Sequence, residues 1–187
     1  MQAARDMRPI GDQAGGEDLM IDLCLVPYEE KTVLSNLIQL YRYDSSEFDG
    51  HVLTDHGFYL YKYLDHQWTD EYRRPFIVKV DGEIAGFALV SLDVPKQNMK
   101  LSSAEKTNTI GDFFIMRKYR RKGVGKEVAE SLFDQFRGTW EIRQTIGNKN
   151  AYAFWKKIIT NYKSDNSYQE KLIQNESWNG PVFVFQS

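Results

Sequence analysis

The sequence predicts a single mixed α/β domain with a central sheet flanked by helices, and three stretches carry that reading. Residues 76–80 and 83–90 are apolar runs joined by Asp81-Gly82, a pair suited to the left-handed backbone of a two-residue hairpin turn. Residues 109–116 are nearly continuous in apolarity, with Ile110, Phe113, Phe114, Ile115 and Met116, as in a central strand covered on both faces. Directly afterwards Val124, Val128, Leu132 and Phe136 recur every four residues, with Ala129 and Phe133 beside them. Lys126, Glu127, Glu130 and Asp134 take the opposite side, so this stretch is an amphipathic helix.

The other elements fall in order around these. Residues 23–26, closed by Pro27, form a short first strand. Val33, Leu34, Leu37, Ile38, Leu40 and Tyr41 sit at helical spacing, and their helix is expected to end near Asp44-Ser45-Ser46. Residues 44–71 are the least regular part, rich in Asp, Glu, Phe and Tyr; they are either a solvated connector or the wall of a cleft for a cation. Residues 96–107 are polar and loop-like. Gly138 is a natural stop for the amphipathic helix. A strand over 139–146, a helix over 150–159 and late strands over 168–173 and 182–185 complete the domain, which is expected to span residues 19–187. The order β-α, hairpin, β-α-β-α-β-β is that of one mixed domain. Residues 1–18 are polar and contain Gly, with no apolar core of the signal-peptide kind, and read as a disordered leader, in part a start-site artefact.

Composition narrows the function classes. With 187 residues the chain is long enough for one substantial core and short for two. Hydrophobic residues at 42% and charged residues at 27% describe an ordinary globular protein. A net charge of -2 gives no global attraction to nucleic acid or to an anionic membrane. No run of about 18 apolar residues exists to cross a bilayer. The chain has one cysteine, Cys24; a single thiol cannot make an internal disulfide, and it reads as a small buried hydrophobe in a reducing cytoplasm. The 14% of aromatic residues can build a core or line a ligand cleft.

Chemistry concentrates where the apolar strand meets the helix: Phe113-Phe114-Ile115-Met116-Arg117-Lys118-Tyr119-Arg120-Arg121-Lys122-Gly123-Val124-Gly125-Lys126. The first amides of a helix lack internal partners and carry the positive end of its dipole. Glycine there lets a bulky anion approach the backbone. Arg120, Arg121, Lys122 and Lys126 add full charges, so the turn suits a dianion such as a pyrophosphate. The spacing is neither the dinucleotide fingerprint, which needs glycine where Val128 stands, nor a P-loop. On the glycines alone, a helix start with a solvated basic face fits equally well.

Arg120-x-x-Gly123-x-Gly125 after an apolar strand resembles the pyrophosphate motif of the GNAT superfamily of N-acetyltransferases. The hairpin Val80-Asp81-Gly82-Glu83-Ile84-Ala85-Gly86 is similar to that family's second and third strands, and Asn148-x-x-Ala151-x-x-Phe154-Trp155 to its fourth-helix segment. The likeness covers roughly residues 74 to 160, with the segments in the family's order. It implies a splayed central sheet whose free backbone holds acetyl-CoA. Phe114, Ile115, Met116, Arg117, Val124 and Asn148 then join the basic turn around the cofactor, with an Ile115 N–H near the thioester oxygen. It also implies a carboxylate base on the central strand, where Asp112 stands alone, and an acid on the fourth helix. Trp155 occupies the position usually held by the acidic tyrosine. An indole does not release its proton, so Tyr152, three residues earlier, is the substitute candidate, with water as the alternative.

The function so implied is transfer of an acetyl group from acetyl-CoA to a primary amine in a ternary complex, by a monomer or homodimer and without a metal. Residues 44–71 point to a cationic acceptor, either a small amine or a basic peptide. A non-catalytic acyl-CoA-binding module is the alternative, and nucleic-acid binding by one compact basic cluster is the weakest reading. His51, His56 and His66 match no metal-ligand spacing and are expected to be surface or cleft-lining.

Overall fold

The structure is a computed structural model that describes residues 19–187, so the expected leader lies outside the described residues. Seven strands form one sheet in the order β1-β2-β3-β4-β5-β7-β6: Ile21–Leu25, Arg73–Val80, Glu83–Pro95, Lys106–Ile115, Thr139–Arg143, Tyr168–Asn175 and Trp178–Gln186 for β1 to β7. Every pairing is antiparallel except β4 with β5. The predicted mixed, splayed sheet is therefore present. Helices α1 (Lys31–Asp49) and α2 (His66–Thr69) lie on one face, and α3 (Val124–Gln135) and α4 (Lys149–Tyr162) on the other.

Alternation along the strands sorts the core into two layers. Phe87, Leu89 and Phe114 join Leu34, Leu37 and Ile38 of α1. Ala85, Ala88, Val90, Ile110 and Ile115 join the α3 and α4 side, where Phe133 makes edge contacts with Trp140, Tyr162 and Phe185. The expected turn at Asp81-Gly82 is present, with φ of 51° and 79°.

Two expectations need correction. Helix α1 does not stop at Ser45-Ser46. The hydroxyls of Ser45 and Ser46 bond back to the carbonyls of Arg42 and Tyr43, and the helix runs on to a left-handed Gly50 cap. Residues 106–107 are strand rather than loop. Thr107 and Asn108 are buried there with their polar groups paired, Thr107 to Ser102 and Asn108 to the Asp93 N–H and the Phe136 carbonyl. Beyond Arg143, β5 leaves the regular ladder, yet Gln144 and Ile146 still donate to the Pro181 and Asn179 carbonyls.

Candidate active site

The central feature is a parallel pairing that fails early. Strands β4 and β5 are joined at Asn108↔Trp140 and Thr109↔Glu141, and no further. From Ile110 onward β4 pairs only with β3. The Met116 N–H goes to the Ala85 carbonyl at 2.8 Å. The alternation of an antiparallel ladder then turns the Phe114 amide to β3 and the Phe113 and Ile115 amides towards the gap left by β5. Of the backbone positions expected around a thioester, Ile115 thus opens on the gap, while the amides of Phe114 and Met116 are spent on β3.

A cleft of about 290 Å³ occupies this gap, between β4, β5, α1 and the start of α4. Asp112 lines it because of a bulge. Val90 pairs with Ile110 and Leu89 with Asp112, so Gly111 is the extra residue. The bulge returns Asp112 to the α1 face, where its Oδ2 accepts a 2.6 Å hydrogen bond from the Tyr61 hydroxyl. Without it, strict alternation would put that carboxylate among Phe133 and Trp155. Burial first, and then the Asp112 charge, push the Tyr61 and Tyr41 hydroxyls far above the ordinary tyrosine range, so both remain donors. The Arg42 guanidinium lies over both rings, 5.6 Å from the centre of Tyr41 and 5.1 Å from that of Tyr61.

The basic turn stands at the start of α3. Arg121 and Gly123 are both left-handed, with φ of 62° and 86°. A Cβ added at Gly123 would meet nothing within 4 Å, whereas one at Gly125 would touch the Phe154 ring at 3.2 Å. The first bond of the helix runs from the Glu127 N–H to the Gly123 carbonyl, 3.1 Å, so the amides ahead of it point out of the helix end. Arg121, Lys122 and Lys126 are exposed here. This open concavity of amides and cations fits a pyrophosphate. Arg120 is committed elsewhere: its Nε donates to the Ile115 carbonyl at 2.6 Å, and it pairs with Asp44, as does Arg117 at 2.7 Å. Burial opposes ionisation of Asp44, but hydrogen bonds from the two guanidiniums outweigh it and hold its carboxyl below the usual range. These two arginines therefore fasten α1 to the turn.

Asn148 and Tyr152 fall on different walls. Asn148 lines the cleft and caps α4, its side-chain oxygen accepting from the Ala151 N–H at 2.9 Å. The Tyr152 hydroxyl donates to Glu170 at 2.7 Å and accepts from Lys156 at 3.0 Å, beside a second pocket with Leu172 and Pro181. Trp155 is core, edge-on to Phe113, and also forms part of the cleft wall.

A family model described as the acetyltransferase (GNAT) family matches residues 37–159. The chain belongs to that family. Solved structures of GNAT-type fold agree with the assignment. An acetyltransferase from Thermus thermophilus superposes with a TM-score of 0.63 at 15% identity, covering 89% of this chain and 97% of that one. An aminoglycoside acetyltransferase in complex with coenzyme A gives 0.62 at 15%, over 89% and 94%. The ribosomal-protein-S18-alanine N-acetyltransferase from Escherichia coli gives 0.53 at 12%, over 89% and 94%. No curated protein matches the sequence.

Within this GNAT domain four of the seven acids of the stretch 44–71 are held in ion pairs. Asp44 pairs with Arg117 and Arg120, Asp49 with Arg42, Asp65 with Lys31 and Asp70 with Arg73. Its contribution to the cleft is Phe48, Asp49 and His51, the last of them 2.6 Å from an Arg42 nitrogen. His56 stacks on Phe58 and His66 lies edge-on to Tyr63. Among the described residues, no three His, Cys, Asp or Glu side chains are grouped to hold a metal, and no helix is long and apolar enough to cross a membrane. Tyr41, Tyr61, Arg143, Gln144 and Trp178 also stand in or beside the cleft, and sequence reading missed them. No local motif marks these residues, because they are carried in by separate segments of the chain.

Proposed function

We propose that this GNAT domain is an acetyl-CoA-dependent N-acetyltransferase that acylates a primary amine by direct transfer with both substrates bound. The observation that carries this reading is Asp112: a half-buried carboxylate, turned by the Gly111 bulge into the cleft, two residues upstream of Phe114 on the strand that carries the free Ile115 amide. Acetyl-CoA supplies the acyl group as a reactive thioester. The amides at the start of α3, with Arg121, Lys122 and Lys126, hold its pyrophosphate, and Asn148 stands beside its arm. Asp112, oriented by Tyr61, takes the proton that the acceptor ammonium must lose before its nitrogen can attack. The Ile115 N–H donates to the negative charge that develops on the acyl oxygen. Holding both reactants in one gap contributes through proximity. Tyr152 is bound to Glu170 and Lys156 in the neighbouring pocket, which favours water as the proton source for the departing thiolate.

The test is thiol release from acetyl-CoA with a panel of amines, run beside calorimetric titration of CoA. Asp112→Asn keeps an oxygen for Tyr61, and should bind CoA normally while lowering kcat by about 10²-fold or more, most severely at low pH where deprotonation needs help. CoA binding without thiol release on any amine would favour the non-catalytic acyl-CoA-binding module. An unchanged pH–rate profile in the variant would remove Asp112 as the base.

A further inference from the structure

Most polar groups in the cleft have partners; the Arg42 Nε on α1 is one exception, and the others belong to Gln144 and Trp178 across the gap. Gln144 is 4% exposed, yet neither its amide oxygen nor its amide nitrogen has a partner among the described residues. The Trp178 indole N–H is also buried and unpaired. Both residues line the cleft, as does Arg143. The Arg143 guanidinium lies 5.5 Å from the Trp178 ring centre. Its ion-pair partner, Glu141, is 3.7 Å away, and the Glu141 oxygens already accept from the amides of Lys100, Leu101 and Ser102 at 2.9, 2.8 and 2.7 Å. The guanidinium therefore reaches the cleft with no short hydrogen bond to a described residue.

Apart from the Gln144 oxygen, an acceptor that would face the ligand's own donors, these groups share one chemistry. A guanidinium fork, an indole N–H and a carboxamide N–H are donors, and a planar carboxylate can satisfy them together. The sheet also fixes where they stand relative to the base. Thr109 and Glu141 are register partners, Arg143 follows Glu141 by two residues on the same face, and the Gly111 bulge returns Asp112 to that face. An acid and a base thus flank one gap, with Asp112 on the β4 side and Arg143 on the β5 side. The other charged residues of the cleft, Arg42 and Asp49, are paired with each other.

We propose that Arg143, Trp178 and Gln144 form a subsite for a carboxylate carried by the acceptor. The substrate class is then an amino acid or a similar amino-carboxylate, its ammonium at Asp112 and its carboxylate at Arg143. This rests on the acetyltransferase reading and departs from the expectation of a cationic acceptor, since four of the seven acids of 44–71 are engaged in ion pairs.

The experiment pairs each free amino acid with its decarboxylated amine, adds O-phosphoethanolamine and spermidine, and follows thiol release from acetyl-CoA. At least one amino acid should exceed its decarboxylated partner in kcat/KM by about tenfold or more, because a site built from donors rejects a ligand that leaves them unpaired. In Arg143→Gln that ratio should fall towards one. Trp178→Phe, which keeps an aromatic face under the guanidinium and removes the indole N–H, should lower the ratio severalfold, and it serves as the test where loss of Arg143 unfolds the domain. A readout independent of turnover is the ¹⁵N indole resonance of Trp178, assigned with Trp178→Phe. It should shift on titration with the preferred amino acid and not with its amine. Better use of spermidine, of decarboxylated amines or of phosphoethanolamine would overturn the carboxylate subsite and leave the transferase reading standing. CoA binding with no thiol release on any member would overturn the transferase reading. The indole resonance then decides the subsite alone, a shift with an amino acid supporting it and no shift overturning it.

Discussion

The Tyr61 hydroxyl donates to Asp112 Oδ2 at 2.6 Å across 51 residues of sequence. Burial, then the Asp112 charge, raise Tyr61 above the ordinary tyrosine value of 10.0, and Tyr41 is raised for the same reasons. The sign follows directly. The unfolded chain releases these protons near pH 10 and the native state does not, so the native state holds more protons above that pH. Stability is fully present below about pH 10 and falls above it, by roughly 1.4 kcal/mol per pH unit for each group, up to the higher native values. Absorbance titration of the eleven tyrosines should show two that ionise only as the protein unfolds, with Tyr162 titrating at about 12. Ionisation of every tyrosine by pH 11 in the folded protein would contradict the buried arrangement around Asp112.

Gly123→Val tests the anion site. The space beside Gly123 is empty of protein, so the substitution meets no clash, only a left-handed backbone that costs about 2 kcal/mol for a β-branched residue. Calorimetry should show CoA affinity lowered by about tenfold or more, with a melting temperature down by only a few degrees. Wild-type affinity would move the pyrophosphate away from this turn.

Gly86→Ala tests the sheet beneath the site. A Cβ there would overlap the Phe114 carbonyl oxygen, which is backbone and cannot swing aside. Strands β3 and β4 must separate locally, and the expected destabilisation is about 1–3 kcal/mol by chemical denaturation. Turnover should fall more than stability alone explains, since the same shift moves the Ile115 amide.

Glu141→Gln tests the clasp behind Arg143. Glu141 is fully buried, and its carboxylate holds three consecutive amides of the loop before β4. A carboxamide keeps one acceptor oxygen and turns an N–H₂ towards donors, at a cost of about 2–4 kcal/mol. Hydrogen exchange at Lys100, Leu101 and Ser102 should accelerate well beyond the global change. Unchanged protection there would assign the loop's order to other contacts.

Local periodicity is enough to place most of the elements. The four-residue repeat from Val124 to Phe136, the Asp81-Gly82 turn and the apolar run through Phe113 and Ile115 each depend on near neighbours, so composition and spacing suffice to locate them. The glycine-marked helix start at Gly123 is local too, which is why it could be located from the sequence. The rest of the cleft was not. A bulge at Gly111 decides which face Asp112 occupies, and a bulge is a relation between two strands that neither strand's residues announce. Tyr61 reaches Asp112, and Arg143 reaches Trp178, only after α1, β4, β5 and β7 have assembled. The sequence by itself determined most of the elements, their order and the basic, glycine-marked helix start. The tertiary structure decided the orientation of Asp112, the ion pairs of Asp44, Asp49, Asp65 and Asp70, and the unpaired donors of Gln144 and Trp178. Those depend on register and packing between segments tens of residues apart, where no sequence period exists to be read.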